Sequence, residues 1–263
     1  MEFLLRIFSY PYQIYSFFQR KVLFDIEPDE LVLDVGSGDK PFWRADVIAD
    51  KDTVDDAQRA SGGMLIDHKK IFVEADVENL PFKDKAFGFV FCAHLLEHVE
   101  HPDRAIAELT RVAKRGYIEV PGGIGDIFSP FRVHLWLCDY HDGTLIFYQK
   151  SNDKSFQEQV IERFGSYFIS DPAFTYMMAR HASHYFIRIY WEGSLSYKVI
   201  RNKNPYTYQY SLDKVEEKTS AQKWIFNTYR LFYRIMNVFF YRPKHVEIQT
   251  LLKNGKTKRR KNS

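Results

Sequence analysis

The sequence predicts an α/β protein built on a mostly parallel sheet, and three observations carry that expectation. From Glu30 onward, short apolar runs alternate with polar or helical stretches, the pattern of strands joined by crossovers. The first run ends in Asp-Val-Gly-Ser-Gly, a turn suited to the carboxyl edge of such a sheet. The chain has 263 residues, 45% of them hydrophobic and 27% charged, enough to bury a sizeable core. That composition excludes a disordered chain, a collagen and a disulfide scaffold.

The strands follow in order as LVLDVG (31–36), DVIAD (46–50), KIFVEAD (70–76), GFVFCAHL (88–95) and GYIEVP (116–121). Between the fourth and fifth, Pro102 opens a helix whose Ala105, Ile106, Leu109, Val112 and Ala113 share one face. The run CAHLLEHVEHP before it reads as a further helical turn, with Glu97 and His98 capping it or facing solvent. After Pro121 the regularity lapses, and an Asp-Gly turn leads into a strand-like TLIFYQ. A capping box at Ser155 and Glu158, with Gly165 as a stop, predicts a helix over 155–165. HYFIRIYW (184–191) and SLSYKVI (194–200) flank Glu192-Gly193 and read as an antiparallel hairpin, and residues 213–241 carry a long helical pattern.

The densest chemical signal is LVLDVGSGDKPF (31–42). Glycines at such a turn permit positive φ and let a ligand approach the backbone closely. Dinucleotides and S-adenosylmethionine both use turns of this kind. A dinucleotide site offers Gly-x-Gly-x-x-Gly to a pyrophosphate. Here Lys40-Pro41 follows the second glycine, and Asp34 and Asp39 flank the turn with carboxylates. Negative charge suits the ammonium and sulfonium of S-adenosylmethionine better than a diphosphate, although Lys40 blunts the contrast. Asp50 ends the second strand, where a carboxylate can accept from ribose hydroxyls, and Asp76 ends the third, where an acid can meet an adenine amine.

Taken in order, LDVGSGDKPF, ADVIAD, EADVENLPF, FGFVFCAHLLEHV and RVAKRGYIEVP make the chain resemble a class I S-adenosylmethionine-dependent methyltransferase of the type 11 subfamily. The resemblance is firm over about 28–121 and looser through 200. It implies a Rossmann-like seven-stranded mostly parallel sheet, with an antiparallel hairpin at the C-terminal edge and helices on both faces. It also implies that Asp34, Gly36, Ser37 and Gly38 border the methionine part of the cofactor, that Asp50 holds the ribose, and that Asp76 and Val77 meet the adenine edge. Ala93 and His94 would line the methyl-transfer channel. The missing third glycine and Gly88, where an Asp commonly sits, are the departures.

Methyl transfer from a sulfonium depends mostly on alignment, so no obligatory triad is expected. A hydroxyl acceptor would profit from a general base, for which His94 is the first choice and His98 the second. His134, Asp139, His141 and Asp142 lie in the irregular segment and match no metal-ligand spacing, and His181 and His184 are poorly placed to ligate. No metal is expected.

The formal net charge is +3, yet residues 253–263 hold six Lys/Arg and no acid, so the body is mildly acidic. Cys92 and Cys138 give no disulfide framework, and Cys92 reads as a small core residue. No signal peptide or spanning helix is apparent, and a cytoplasmic protein is expected. Aromatic residues make up 17% of the chain. They concentrate partly at the two ends, where Phe, Tyr and Leu mix with Arg and Lys as in interfacial helices. That composition suits peripheral contact with the inner face of a membrane and a lipid-linked or glycan acceptor.

The expected organisation is an amphipathic segment (1–27), a methyltransferase domain (28–212) with an acceptor-side insertion (122–182), a C-terminal helix (213–252) and a basic disordered tail (253–263). The preferred reaction is O-methylation of a small molecule or sugar. Nucleic-acid methylation is disfavoured, because no base-stacking Pro-Pro-aromatic motif follows the fourth strand. A catalytically silent methyltransferase-like binding protein is the non-enzyme alternative, and an NAD-binding protein ranks last.

Overall fold

The computed structural model describes residues 2–51, 65, 67, 69–128, 131, 133–153, 159–160, 163, 171–207 and 220–253. Helix α1 (Glu2–Lys21) precedes strands β1 (Val32–Val35), β2 (Val47–Asp50), β3 (Ile71–Glu74) and β4 (Phe87–Ala93). Helix α2 (Pro102–Val112) leads into β5 (Ala113–Pro121), followed by α3 (Gly123–Phe128), β6 (Trp136–His141) and β7 (Thr144–Gln149). Then come α4 (Pro172–Arg180), α5 (Ala182–Tyr185), β8 (Phe186–Glu192), β9 (Tyr197–Ile200), α6 (Ser220–Phe239) and α7 (Ile248–Leu251).

The main sheet runs β3-β2-β1-β4-β5-β8, parallel throughout except for β8, which pairs antiparallel to β5 with Ile118 opposite Ile189. The strand order reverses between β1 and β4, and ligands of open α/β sheets bind at the carboxyl ends of the strands at such a point. The mostly parallel α/β architecture is as the sequence predicts. Its strand count is not: among the described residues six strands stand in place of seven.

The predicted hairpin of 184–191 with 194–200 does not form. Gly193 adopts a φ of +71°, and β9 leaves β8 to pair in parallel with β7 at Leu145–Tyr148. Strands β6 and β7 form the antiparallel hairpin instead, closed by Asp142 and Gly143, both at positive φ as a two-residue turn requires. The segment after Pro121 supplies two strands of a second, three-stranded sheet: the predicted Asp-Gly turn and TLIFYQ strand are present, and β6 is added where the sequence reads as irregular.

Alternation along the strands gives the sheet two unlike faces. Leu33, Val35, Val90, Cys92, Ile118 and Val120 join the Ala105, Ile106, Leu109 and Val112 face of α2 in one aliphatic core. Burying each larger aliphatic side chain there stabilises by about 1.5–3 kcal/mol. Val32, Phe89, Phe91 and Tyr117 face the other way into an aromatic layer. Phe24, just after α1, sits against the rings of Phe42, Phe89, Phe91, Tyr117 and Tyr190 at centroid distances of 5.0 to 6.1 Å. Helix α1 also packs on α4 through Tyr12 and Tyr176, and on α6 through Phe17 and Phe232. Much of the aromatic surplus is thus core.

Gly88 has a packing reason. A Cβ there would lie 2.2 Å from Glu30 Cγ, whose carboxylate accepts from Arg115 Nη2 at 2.6 Å. The helix expected over 155–165 lies largely outside the described residues, as do 213–219 and the tail beyond Lys253.

Candidate cofactor and acceptor site

Asp34 reaches the carboxyl end of β1 almost fully buried, and its Oδ2 accepts from the Phe42 N–H at 2.7 Å. Burial raises its pKa to about 6, against the opposing pull of that hydrogen bond and of Lys21. The turn that follows bonds back to β2, with the Gly36 N–H donating to the Ala49 carbonyl at 2.8 Å. Gly36 has a φ of +71°, and a Cβ on it would lie 2.7 Å from Leu95 Cδ2. Gly38, also at positive φ, donates its N–H to Asp50 Oδ2 at 2.9 Å. Ser37 Oγ is buried between them with no hydrogen-bond partner among the described residues.

Asp76 caps a short 3-10 turn (Val77–Asn79), accepting from the Glu78 N–H, and meets Lys51 Nζ at 2.8 Å. Burial would raise its pKa, but Lys51 and the capping bond outweigh it and hold the carboxyl below its ordinary value. Val77 is buried beneath it. Ala93 ends β4, and His94 follows with a φ of +56°, a strained conformation of the kind that gathers at functional sites.

Asp34, Gly36, Ser37, Gly38 and Asp50 thus share one locus, with Ala93 and His94 at the neighbouring strand end. His98 does not join them. It is turned inward, with Nδ1 3.2 Å from the Val133 carbonyl and its ring 4.7 Å from that of His134. Residues 96–98 form a turn rather than a helix, and Glu97 is fully buried rather than capping or solvent-facing. His134 pairs with Asp126 at 2.7 Å, apart from Asp139, His141 and Asp142. The last two form an exposed pair at the β6–β7 hairpin.

Further residues enter the site that sequence reasoning misses. Arg20 Nε donates to Glu119 Oε2 at 2.8 Å, its Nη2 meets Oε1, and the guanidinium lies 3.8 Å over the Phe186 ring. Tyr117 donates its hydroxyl proton to Glu119 Oε2 at 2.6 Å. Burial would raise the Glu119 carboxyl, yet Arg20 and His94 hold it well below its usual range. Lys21 places Nζ 4.5 Å from the Phe91 ring centre, and burial lowers its pKa to about 8 despite Glu119 and Asp34. The signals that point to them are the Arg-Lys pair closing an apolar helix and the lone acid inside a buried strand.

His94 Nε2 lies 2.8 Å from Glu119 Oε1 and 2.9 Å from Arg20 Nη2. The first contact needs a proton on Nε2 and the second a lone pair. Burial would lower the His94 pKa, but its bond to Glu119 outweighs that and raises it, so the protonated contact with Glu119 prevails.

Residues 46–118 match the family profile described as a methyltransferase domain. Over that span the chain is similar to a methyltransferase domain. The match runs from β2 into β5 and makes S-adenosylmethionine the implied cofactor. No curated protein matches the chain in sequence. Among solved structures, it resembles the [4+2]-cyclase SpnF at 23% identity and a TM-score of 0.31, covering 44% of this chain and 45% of that one. It resembles a SAM-dependent methyltransferase of Thermotoga maritima at 17% identity and a TM-score of 0.30, covering 46% and 55%. A complex of the Haloferax volcanii Trm112 methyltransferase activator with a methyltransferase matches at 12% identity and a TM-score of 0.41, covering 72% and 97%. The chain spans about half the length of the first two.

The residues of the turn after β1 fit the implied cofactor. The unpartnered Ser37 Oγ offers a buried polar contact, Gly36 leaves no room for a side chain where a ligand would approach, and Asp34 with Asp50 supplies negative charge.

Proposed function

We propose that this chain is an S-adenosylmethionine-dependent methyltransferase acting on the hydroxyl of a small molecule or glycan presented at a membrane surface. The observation that carries the reading is the Gly36–Gly38 turn, held between the carboxylates of Asp34 and Asp50 at the carboxyl edge of the sheet. When bound, the cofactor supplies an electrophilic methyl group. Asp34, Gly36, Ser37 and Gly38 would hold its methionine part, Asp50 its ribose, and Asp76 with Val77 its adenine edge. Ala93 and His94 border the acceptor side, where positioning of the two reactants contributes most of the rate. His94 is the candidate base: with its Nε2 proton held by Glu119, it would take a hydroxyl proton through Nδ1, in the neutral form that its raised pKa brings in as pH rises.

The membrane component rests on exposed apolar surface. Leu231, Ile235 and Val238 repeat at helical spacing on α6 and lie exposed, continued by Phe239 and Phe240, with Arg230 and Arg234 beside them. Leu4, Phe8, Ile14, Tyr15 and Phe18 are exposed on α1, which packs against α6. Among the described residues no helix is long and apolar enough to cross a membrane, so contact would be peripheral.

The test is a screen with labelled cofactor across sugar nucleotides, lipid-linked glycans and quinol precursors, alongside calorimetric titration with S-adenosylhomocysteine. Transfer to a hydroxyl of one class supports the proposal. Transfer to tRNA or DNA alone, or no binding of S-adenosylhomocysteine, overturns it.

A further inference from the structure

The turn after β4 places an ionisable side chain where none is easily accommodated. Glu97 is fully buried, and neither carboxylate oxygen has a hydrogen-bond partner among the described residues. Three histidines surround it. Its Oε1 lies 3.4 Å from His94 Nδ1, 3.8 Å from His98 Nε2 and 3.9 Å from His134 Nε2.

The outer nitrogens of two of these rings determine what the inner ones offer. His98 Nδ1 lies 3.2 Å from the Val133 carbonyl, which can only accept, so the ring's proton sits on Nδ1. His134 Nδ1 lies 2.7 Å from Asp126 Oδ1, a carboxylate also paired with Lys150, so its proton sits there too. In their neutral forms, both rings then turn an Nε2 lone pair toward the Glu97 carboxylate. Two lone pairs and an anion converge with no donor from either ring, a costly arrangement in a buried setting, and among the described residues His94 Nδ1, 3.4 Å from Oε1, is the one group beside them that can turn an N–H toward the carboxylate. A cation among them reverses the sign of every one of these contacts.

The geometry suits a small ion. The ligand atoms of Glu97, His98 and His134 all lie within 4.8 Å of one another. Zinc bonds of about 2.0–2.2 Å in a tetrahedral site would put such atoms roughly 3.4 Å apart, so closure needs only a small contraction. The anchoring of each imidazole through its second nitrogen, one of them by a carboxylate, is the outer-shell arrangement that fixes a ligating histidine's tautomer. Two imidazoles and one carboxylate favour borderline first-row divalent ions over the oxygen-seeking magnesium or calcium.

We propose that Glu97, His98 and His134 form a binding site for one first-row divalent metal ion, zinc foremost, with His94 as the nearest further group. Three protein ligands leave a coordination position open. His94, about a third exposed, marks the side from which that position communicates with the outside. The proposal stands independently of methyl transfer, because metal binding is read without turnover.

The experiment uses the full chain, stripped with chelator, reloaded with zinc or cobalt(II) and desalted. Bound metal is counted by mass spectrometry, and the cobalt form is examined for visible d–d absorption. One equivalent per chain, with absorption of the intensity that low coordination gives and a raised melting temperature on loading, is the expected result. Glu97→Gln and His134→Ala should lose the bound metal, and Asp126→Asn should weaken it by about 10–100-fold through the outer shell. His181→Ala, outside the cluster, should retain it. Should Glu97→Gln fail to fold, the wild-type stoichiometry and the Asp126→Asn titration decide the matter. Failure of the wild-type chain to retain either metal, or equal retention by folded Glu97→Gln, overturns the proposal.

Discussion

Arg20 grips Glu119 across ninety-nine residues of sequence, tying the end of the first helix to the fifth strand through the Nε–Nη2 edge of the guanidinium. The Glu119 side chain is wholly inaccessible, while that of Arg20 keeps a fifth of its surface exposed. Removing the cation leaves a buried carboxylate with Tyr117 and His94 as its remaining partners. Arg20→Met is expected to destabilise the fold by about 3 kcal/mol, and Arg20→Met with Glu119→Gln to recover much of that loss. Urea denaturation of the two variants measures both. Because Glu119 titrates below its unfolded value, the difference is full at neutral pH and fades as pH falls through the folded value.

Asp34 predicts the opposite pH dependence. Its folded pKa of about 6 exceeds the unfolded 3.8, so the native state binds more protons between those values. Its contribution is present below the unfolded pKa and is lost as pH rises to about 6, a change of about 2–3 kcal/mol at most. The charges acting on it are those of Lys21, Asp50 and Lys70. Asp34→Asn should flatten that part of the stability profile. In the wild type, binding of S-adenosylhomocysteine, with its ammonium, should tighten as pH rises through the same window, and Asp34→Asn should remove the trend in calorimetry.

Gly36→Ala tests the turn. A φ of +71° and a contact of 2.7 Å with Leu95 Cδ2 leave no comfortable place for a methyl group. A loss of about 1–3 kcal/mol in stability is expected from strain and crowding together. The same variant should bind S-adenosylhomocysteine at least tenfold more weakly, about 1.4 kcal/mol. Retained affinity in a destabilised protein would separate the turn from the cofactor.

The α6 stripe makes a membrane prediction. Leu231, Ile235 and Val238 are exposed, so replacing all three with Glu should leave the melting temperature within a few degrees. Co-sedimentation with anionic liposomes at low salt should fall to background. Unchanged sedimentation would remove the membrane from the proposed function.

Local pattern makes the parallel core legible. β1 through β5 announce themselves by short apolar runs and α2 by its apolar face and starting Pro102, and Gly36 closes β1, so the residue pattern alone places the turn and its carboxylates. Asp34, Gly36, Gly38 and Asp50 converge because adjacent parallel strands bring their carboxyl ends together. The partners that distinguish this site are hidden because they come from far away in sequence. Nothing local to Arg20 or Lys21 indicates that α1 ends over β4 and β5, and nothing in SLSYKVI reveals that it will pair with β7. The burial of Glu97 is hidden for a related reason: its surroundings come from His134, thirty-odd residues downstream, and its own helical-looking context suggests solvent.

The placement of Lys21 and Arg20 has an energetic consequence for any ligand. The carboxylates of Asp34 and Glu119 already have cationic company supplied by the protein's own first helix. A positively charged guest would therefore enter by exchange, displacing an internal counter-ion rather than filling an electrostatic void. On the proposed function, the attraction it would gain from Asp34 is offset by what Lys21 would give up, so charge would contribute selectivity more than strength, and contacts along the Gly36–Gly38 backbone would carry the affinity.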